Sequence, residues 1–473
     1  MNNNTKKFNI PRLVIGATGS GAGKTTITCA ILMALKKRNL DICSFKCGPD
    51  YIDPMFHRKV MNISSTNLDL FFTDKETTLT VAETTSHGKD MAIVEGVMGY
   101  YDGIRGTTTL ASTYDLAKTL DAPTILIVGG KGKSLSLLAE IKGFLEFQKD
   151  SNIKGVIING ISKSMYMLLK DQIESQLNIK ALGYFPIVEN ASLESRHLGL
   201  VTAGEVKNLG EILEILGNQA EESLDIDGII SLGKSAKNLI FNIPNQLMKF
   251  KKISEEISKK PINLAIAKDE AFCFYYEENL KILEYLGCNL IEVSPLRDRK
   301  LPENVDGILL GGGYPELYGR ELSENISFRE DLKERLISGM PCLGECGGFM
   351  YLHEFLEDRE GNIFPMIGLL PGKVYPLEKM NRFGYINIKF EKNFWLGNED
   401  FLSKGHEFHY WESENPGNMI LAQKPLGKRN WQSNVSVFNV FAGFPHLYYL
   451  SNLDLPINFL KKIKKFSKNY LPK

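Results

Sequence analysis

The feature that most constrains this chain is the run Gly16–Thr26, GATGSGAGKTT, placed between the apolar stretch Leu13–Gly16 and the amphipathic stretch Thr25–Lys37. A glycine-rich turn between a buried strand and a helix lets successive backbone N–H groups converge on one point. The helix N-terminus adds a dipole that favours an anion there. Thr18, Gly19, Ser20, Gly21, Ala22 and Gly23 are therefore expected to cradle the phosphates of a nucleotide, with Thr26 inside the first helical turn. Lys24 is expected to reach the β- and γ-phosphates, and the Thr25 hydroxyl to ligate Mg2+. ATP and Mg2+ are the cofactors this loop calls for.

A parallel sheet is the natural host for such a loop. Short apolar, β-rich runs recur at Leu13–Gly16, Ile42–Phe45, Met91–Val94, Thr124–Val128, Lys154–Asn159 and Ala181–Phe185. Amphipathic stretches such as Thr25–Lys37 and Ser134–Phe147 separate them, which predicts an α/β fold with a doubly wound parallel sheet. Between Lys234 and Lys260 the pattern gives way to polar, lysine-rich sequence ending at Pro261, read as a linker that can hold one helix. A second strand series follows: Ile262–Ala267, Asn289–Val293, Gly307–Leu310, Pro341–Gly344 and Gly384–Phe390. A single core stops growing near ~250–300 residues, so a chain of 473 residues should divide. The expected division is a phosphate-loop domain at 1–235, a linker at 236–260 and a second α/β domain at 261–473.

The 56 basic side chains balance the 56 acidic ones. The chain as a whole therefore lacks the long-range pull on phosphate backbones that a nucleic-acid binder uses. No apolar run approaches the ~20 residues that span a bilayer, and MNNNTKKFNIPRLVIGATG has no secretory core. Small molecules are the expected partners, with neither nucleic acid nor membrane, and the cytoplasm is the expected location.

Two acidic motifs follow strands of the first half. Asp50 and Asp53 flank Tyr51 in FKCGPDYIDP, and Glu95 of VEGVMGYYDG stands just past another apolar strand. The strand before Asp50 is expected to neighbour the phosphate-loop strand. Carboxylates at the C-terminal ends of parallel strands face the ligand crevice, where they complete a Mg2+ shell or orient a nucleophile for phosphoryl transfer. Thr25, Glu95 and Asp50 are the expected metal ligands; Asp50, Tyr51, Asp53 and Glu95 are the expected substrate or phosphoryl-transfer residues. Capping a helix is the ordinary alternative for either aspartate. Glu95 interrupts an apolar run and is costly to bury unpaired.

The seven cysteines form no C-x-x-C pair, and most are expected to be reduced thiols. Cys346 stands apart. Gly344–Gly348 reads GECGG, the thiol counterpart of the G-x-S-x-G nucleophile elbow. The following stretch, Gly348–Leu356, is expected to be a helix whose N-terminus lowers the thiol pKa and offers N–H donors. Upstream, LLGGGYPE supplies Gly312 and Gly313, which with Gly347 are the expected oxyanion hole. His446 arrives late in the domain, the right order for the base. His353 is expected on the helix, pointing away. His406 and His409 are spaced H-x-x-H, but on an extended segment they face opposite sides, which argues against a metal.

Taken together, these motifs identify a family. TGSGAGKTT, KCGPDYIDP, NLDLFF, VEGVMGYYDG, RHLGL (Arg196–Leu200), GGGYPE, ECGGFMYL, GHEFHY and HLYY occur in that order. The chain so resembles the cobyrinic acid a,c-diamide synthases, in which a dethiobiotin-synthetase-like ATP domain is fused to a class I glutamine amidotransferase domain. The resemblance implies that Cys346, activated by His446, releases ammonia from glutamine through a thioester. It implies that ATP phosphorylates an acetate carboxylate of a corrin, and that ammonia displaces the phosphate, once at each of the a and c acetates. A fused chain suits ammonia that must travel without protonation by solvent. The same motifs also fit amidation of nickel sirohydrochlorin. Switch ATPases of the MinD type, a reading from another class, carry a signature lysine where this chain has Thr18. Two further departures from the family pattern are Gly129, where an aspartate is expected, and Tyr448, where most class I amidotransferases have glutamate.

Overall fold

A computed structural model describes residues 5–188 and 203–469; the RHLGL motif, Arg196–Leu200, lies outside the described residues. The chain divides into two compact units, Met1–Pro244 and Asn245–Lys473.

The first unit is built on seven parallel strands: β1 (Arg12–Ala17), β2 (Ile42–Cys47), β3 (Ser64–Leu68), β4 (Met91–Glu95), β5 (Thr124–Gly129), β6 (Ile153–Asn159) and β7 (Lys180–Phe185). Their order across the sheet is β3-β2-β4-β1-β5-β6-β7. Alternate side chains enter two cores: Val14 lies on one face of β1, and Leu13 and Ile15 on the other. Helices cover both faces, as the pattern predicts. Helix α1 (Lys24–Lys37) packs along the helix Ala203–Ser223 so closely that a Cβ at Gly217 would lie 2.8 Å from Met33 Cβ.

One expectation about strand order is corrected here, and two elements are added to the sequence reading. β4 lies between β1 and β2, so the strand before Asp50 is one removed from the phosphate loop and the Glu95 strand is its direct neighbour. Strand β3, SSTNL, escapes the apolar-run criterion because it is a polar edge strand whose pairing is supplied by β2. Within the stretch read as a linker, Asn245–Ile257 is the one helix expected there, and Leu239–Asn242 adds a strand that pairs antiparallel with Thr5–Phe8.

The second unit has a six-stranded sheet: β8 (Ile262–Ala267), β9 (Cys288–Val293), β10 (Gly307–Leu310), β11 (Cys342–Glu345), β12 (Val435–Val437) and β13 (Val440–Gly443). The order is β9-β8-β10-β11-β13-β12, parallel except for the edge strand β12. A five-stranded antiparallel sheet adds Arg382–Phe390, Leu402–His409 and His446–Leu447 among its strands. The helix expected over Gly348–Leu356 is only Gly347–Tyr351, because His353–Glu357 is drawn into a strand by pairing with Ile363–Pro365 and Leu370–Pro376. No helix among the described residues is long and apolar enough to cross a membrane.

Candidate active sites

In the first unit, the phosphate loop leaves β1 with Thr18 N–H bonded to Ile127 O at 3.1 Å. Gly21 and Gly23 sit at φ 76° and 94°, where side chains are strained. A Cβ at Gly23 would also run into Asn159 Nδ2, which donates to Ala22 O at 2.9 Å and ties the loop to β6. Lys24 Nζ folds over the loop and donates to Met98 O at 2.5 Å and Gly19 O at 3.4 Å. Burial, then the neighbouring Lys46 charge, lowers its pKa.

Beside it lies a cluster of opposite charges. Thr25 Oγ1 donates to Glu95 Oε1 at 2.7 Å, and Lys46 Nζ reaches the same oxygen at 2.8 Å. Lys46 also pairs with Asp53 Oδ2, and all three charged groups are buried. Burial pushes Glu95 up to about 7. Burial acts the same way on Asp53, but the Lys46 ammonium outweighs it and holds that carboxyl below its ordinary range. Glu95 Oε2 is buried and accepts no hydrogen bond among the described residues. An orphaned carboxylate oxygen beside the Thr25 hydroxyl fits the donor set of a hard divalent cation.

Asp50 is committed differently. Its Oδ1 accepts from Ile52 N–H at 2.8 Å and Asp53 N–H at 3.1 Å, at the start of helix α2 (Ile52–Lys59). Burial and the Asp53 charge raise its pKa to about 6. Tyr51 is the half-buried residue that precedes the same helix. Asn67 Nδ2 donates to Gly48 O and Asp50 O, so the missed strand β3 fixes the loop that carries Asp50 and Tyr51. Lys46, at the centre of the charge cluster, is not among the site residues expected from the sequence. Its signal was a lone lysine in the fully buried strand ICSFKC, which has to be paired.

The second unit presents Cys346 at the turn after β11. Its backbone, φ 47° and ψ −103°, lies in a region that non-glycine residues avoid. Cys346 N–H donates to Gly443 O at 2.8 Å, and Gly348 N–H to Gly311 O at 2.9 Å, which lock the turn to both flanking strands. A Cβ on Gly347 would sit 3.0 Å from Gly313 N and 3.4 Å from Gly312 C; one on Gly312 would sit 2.5 Å from His446 Cε1. Gly347, Gly312, Gly313 and His446 therefore lie together beside Cys346, from three separate segments.

The thiol pKa runs opposite to expectation. Burial, then the Glu316 charge, pushes it well up, and the Gly347 N–H bonded to the sulfur only partly compensates. A helix of five residues has little dipole to set against that desolvation. The His446 ring stacks on His406 at 4.8 Å and 17°, its cross-strand partner, and Tyr276 Oη lies 3.1 Å from His406 Nδ1. His409 is held instead by Trp411 O and Glu407, and His353 by Phe349 O and Ser413 Oγ. No group of three or more His, Cys, Asp or Glu side chains among the described residues is arranged to hold a metal.

Comparison with known proteins accounts for both halves. Residues 13–200 match the CobQ/CobB/MinD/ParA nucleotide binding domain, and residues 263–453 the CobB/CobQ-like glutamine amidotransferase domain. The chain is 37% identical over 458 residues to a cobyrinate a,c-diamide synthase of Caldanaerobacter subterraneus, covering 96% of this chain and 99% of the relative. It is 36% identical to that of Thermoplasma volcanium over 97% and 98% of the two chains, and 38% identical to that of Clostridium acetobutylicum over 93% and 98%. With a nucleotide-binding domain and a glutamine amidotransferase domain in one chain, this protein is a glutamine-hydrolysing amide ligase and belongs to the cobyrinate a,c-diamide synthase family.

Proposed function

We propose that the chain converts the a and c acetate groups of cobyrinate to amides in cobalamin biosynthesis, using ATP and glutamine. The observation that carries this reading is the likeness, over nearly its whole length, to enzymes named for that reaction. The two sites divide the chemistry between them.

At the thiol site, His446 takes the Cys346 proton as sulfur attacks the glutamine amide carbonyl. Gly312, Gly313 and Gly347 offer N–H groups to the oxyanion. His446 returns the proton to the departing nitrogen, so the C–N bond breaks to give ammonia and a thioester, which water hydrolyses to glutamate and free thiol. Because burial holds the thiol neutral, this step depends on a partner base rather than on a resident thiolate.

At the phosphate site, the loop N–H groups and Lys24 hold the nucleotide phosphates. Thr25 and Glu95 are the residues that would hold Mg2+, which supplies charge neutralisation on those phosphates. Asp50 organises α2 and Tyr51 through its capping bonds. An acetate oxygen of the tetrapyrrole attacks the γ-phosphorus and ADP leaves. Ammonia then attacks the acyl carbon, expelling phosphate and a proton to leave the amide. Lys46 holds Asp53 charged and fixes both Asp53 and Glu95 in place while this occurs.

The test is mass spectrometry of candidate tetrapyrroles after incubation with ATP, Mg2+ and glutamine. Two amides gained on cobyrinate is the expected result. Amidation of nickel sirohydrochlorin in preference to cobyrinate would overturn the substrate assignment.

A further inference from the structure

We propose that Glu345, the residue immediately before the nucleophile, is the positioning carboxylate for His446. The inference rests on the reading of Cys346 and His446 as nucleophile and base, and it fills the place left by Tyr448. Glu345 Oε2 lies 3.7 Å from His446 Nδ1. Both side chains are nearly sequestered, with relative exposures of 11% for Glu345 and 2% for His446. His446 is the only ion-pair partner that Glu345 has among the described residues. A carboxylate taken out of water is costly unless something compensates its charge. At this position the compensating group is the imidazolium that forms during thiol attack.

The backbone explains how two paired strands bring these groups together. Glu345 is the last residue of β11, paired in register with Gly443 of β13, and the chain of β13 reaches His446 three residues later. The Glu345 carboxylate is thus delivered to the base from the neighbouring strand. Cys346 follows in a strained turn, and the Glu345 charge reaches its thiol. His406, stacked parallel on His446 and held by Tyr276, fixes the plane of the ring. Glu345 fixes its rotation within that plane and its tautomer, with Nδ1–H toward Oε2 and Nε2 left to take the thiol proton. A 3.7 Å separation is long for a hydrogen bond, and such contacts shorten when substrate is bound. The other carboxylates whose charge reaches the thiol, Glu316 and Glu407, come from different segments, and Glu407 is already bonded to His409 and Trp431.

Glutamine hydrolysis and ammonia-driven amidation should be measured on the full chain for Glu345→Gln, with Cys346→Ala in parallel. Glu345→Gln is expected to lower the glutaminase kcat by about 10²- to 10⁴-fold, the range for a base that loses its orienting carboxylate. KM for glutamine and the ammonia-driven rate should stay within about threefold of the parent. A kcat within threefold of the parent overturns the proposal, as does an equal fall of the glutamine- and ammonia-driven rates, which marks a structural role. If the glutamine variant does not fold, Glu345→Asp decides. A carboxylate one methylene shorter should lower kcat at least fivefold with KM unchanged, and an unchanged kcat overturns the assignment. Glutaminase activity surviving in Cys346→Ala would instead sink the underlying reading of the thiol.

Discussion

The two strand-to-helix turns proposed to carry this protein's chemistry solve opposite electrostatic problems. The turn after β1 reaches positive φ with glycines, Gly21 and Gly23, in a loop whose N–H groups are proposed to take an anion. The turn after β11 reaches positive φ with Cys346 itself, the proposed nucleophile, and so holds strain at the residue whose side chain it presents. Around the first, Lys24 and Lys46 stand among Glu95, Asp53 and Asp50, so every buried charge has an opposite near it. Around the second, the charges that reach the thiol are all carboxylates, and His406 is kept neutral by burial. One turn is arranged to receive charge from a ligand. The other is arranged so that charge appears only when a proton moves.

The largest effects should come from emptying either turn. Cys346→Ala should abolish glutamine-driven amidation, a fall of at least ~10³-fold, and leave ammonia-driven amidation intact; equal loss of both would break the division between the turns. Lys24→Ala should reverse the pattern, with ligation falling about 10²-fold or more while glutamine hydrolysis persists. Ligation retained at saturating ATP would remove Lys24 from the phosphate site.

Next in size is the charge cluster. Lys46→Met leaves Glu95 and Asp53 buried without their cation, and should cost about 3–5 kcal/mol of stability. The loss can be read from urea unfolding; a change below about 1 kcal/mol would mean the carboxylates are compensated in another way.

Each unit also holds a buried neutral histidine whose pKa burial lowers to about 4: His57, which contacts Ser44 and Cys29, and His353. In the unfolded chain a histidine takes up its proton near pH ~6.5. Between about 6.5 and 4 the unfolded state therefore binds more protons, and stability falls as pH falls. Each residue accounts for on the order of 3 kcal/mol across that window. Urea midpoints at pH 7.5 and pH 5 should show less acid sensitivity in His353→Gln than in the parent; an identical slope would remove His353 from the account. The smallest effect belongs to Arg38, which pairs on the surface with Glu221 and Asp227. Its removal should cost less than about 1 kcal/mol in the same assay.

The parts of this architecture legible in sequence were those whose signal is local. The phosphate loop announces itself because glycine, lysine and threonine must follow one another in the chain. The elbow is legible for the same reason. What escaped depends on neighbours remote in sequence. β3 is polar and becomes a strand only because β2 supplies its partner. The order that sets β4 between β1 and β2 has no local mark, yet it decides that Glu95, and not Asp50, faces Thr25. Asp50 carried two readings in sequence, and its Oδ1 is found capping α2. The helix dipole was expected to activate the thiol, but a nine-residue apolar run became five residues of helix and a strand once its partners were present. Burial then outweighed the dipole.

The short ladder between Thr5–Phe8 and Leu239–Asn242 has a consequence for how the first unit can be handled as a part. Paired strands run about 5 Å apart, and Thr5 is directly opposite Asn242. The chain thus enters and leaves this nucleotide-binding unit through one narrow port. A module with adjoining ends can be spliced into a surface loop of a host protein without stretching either partner, which makes residues 5–242 a natural cassette for domain insertion.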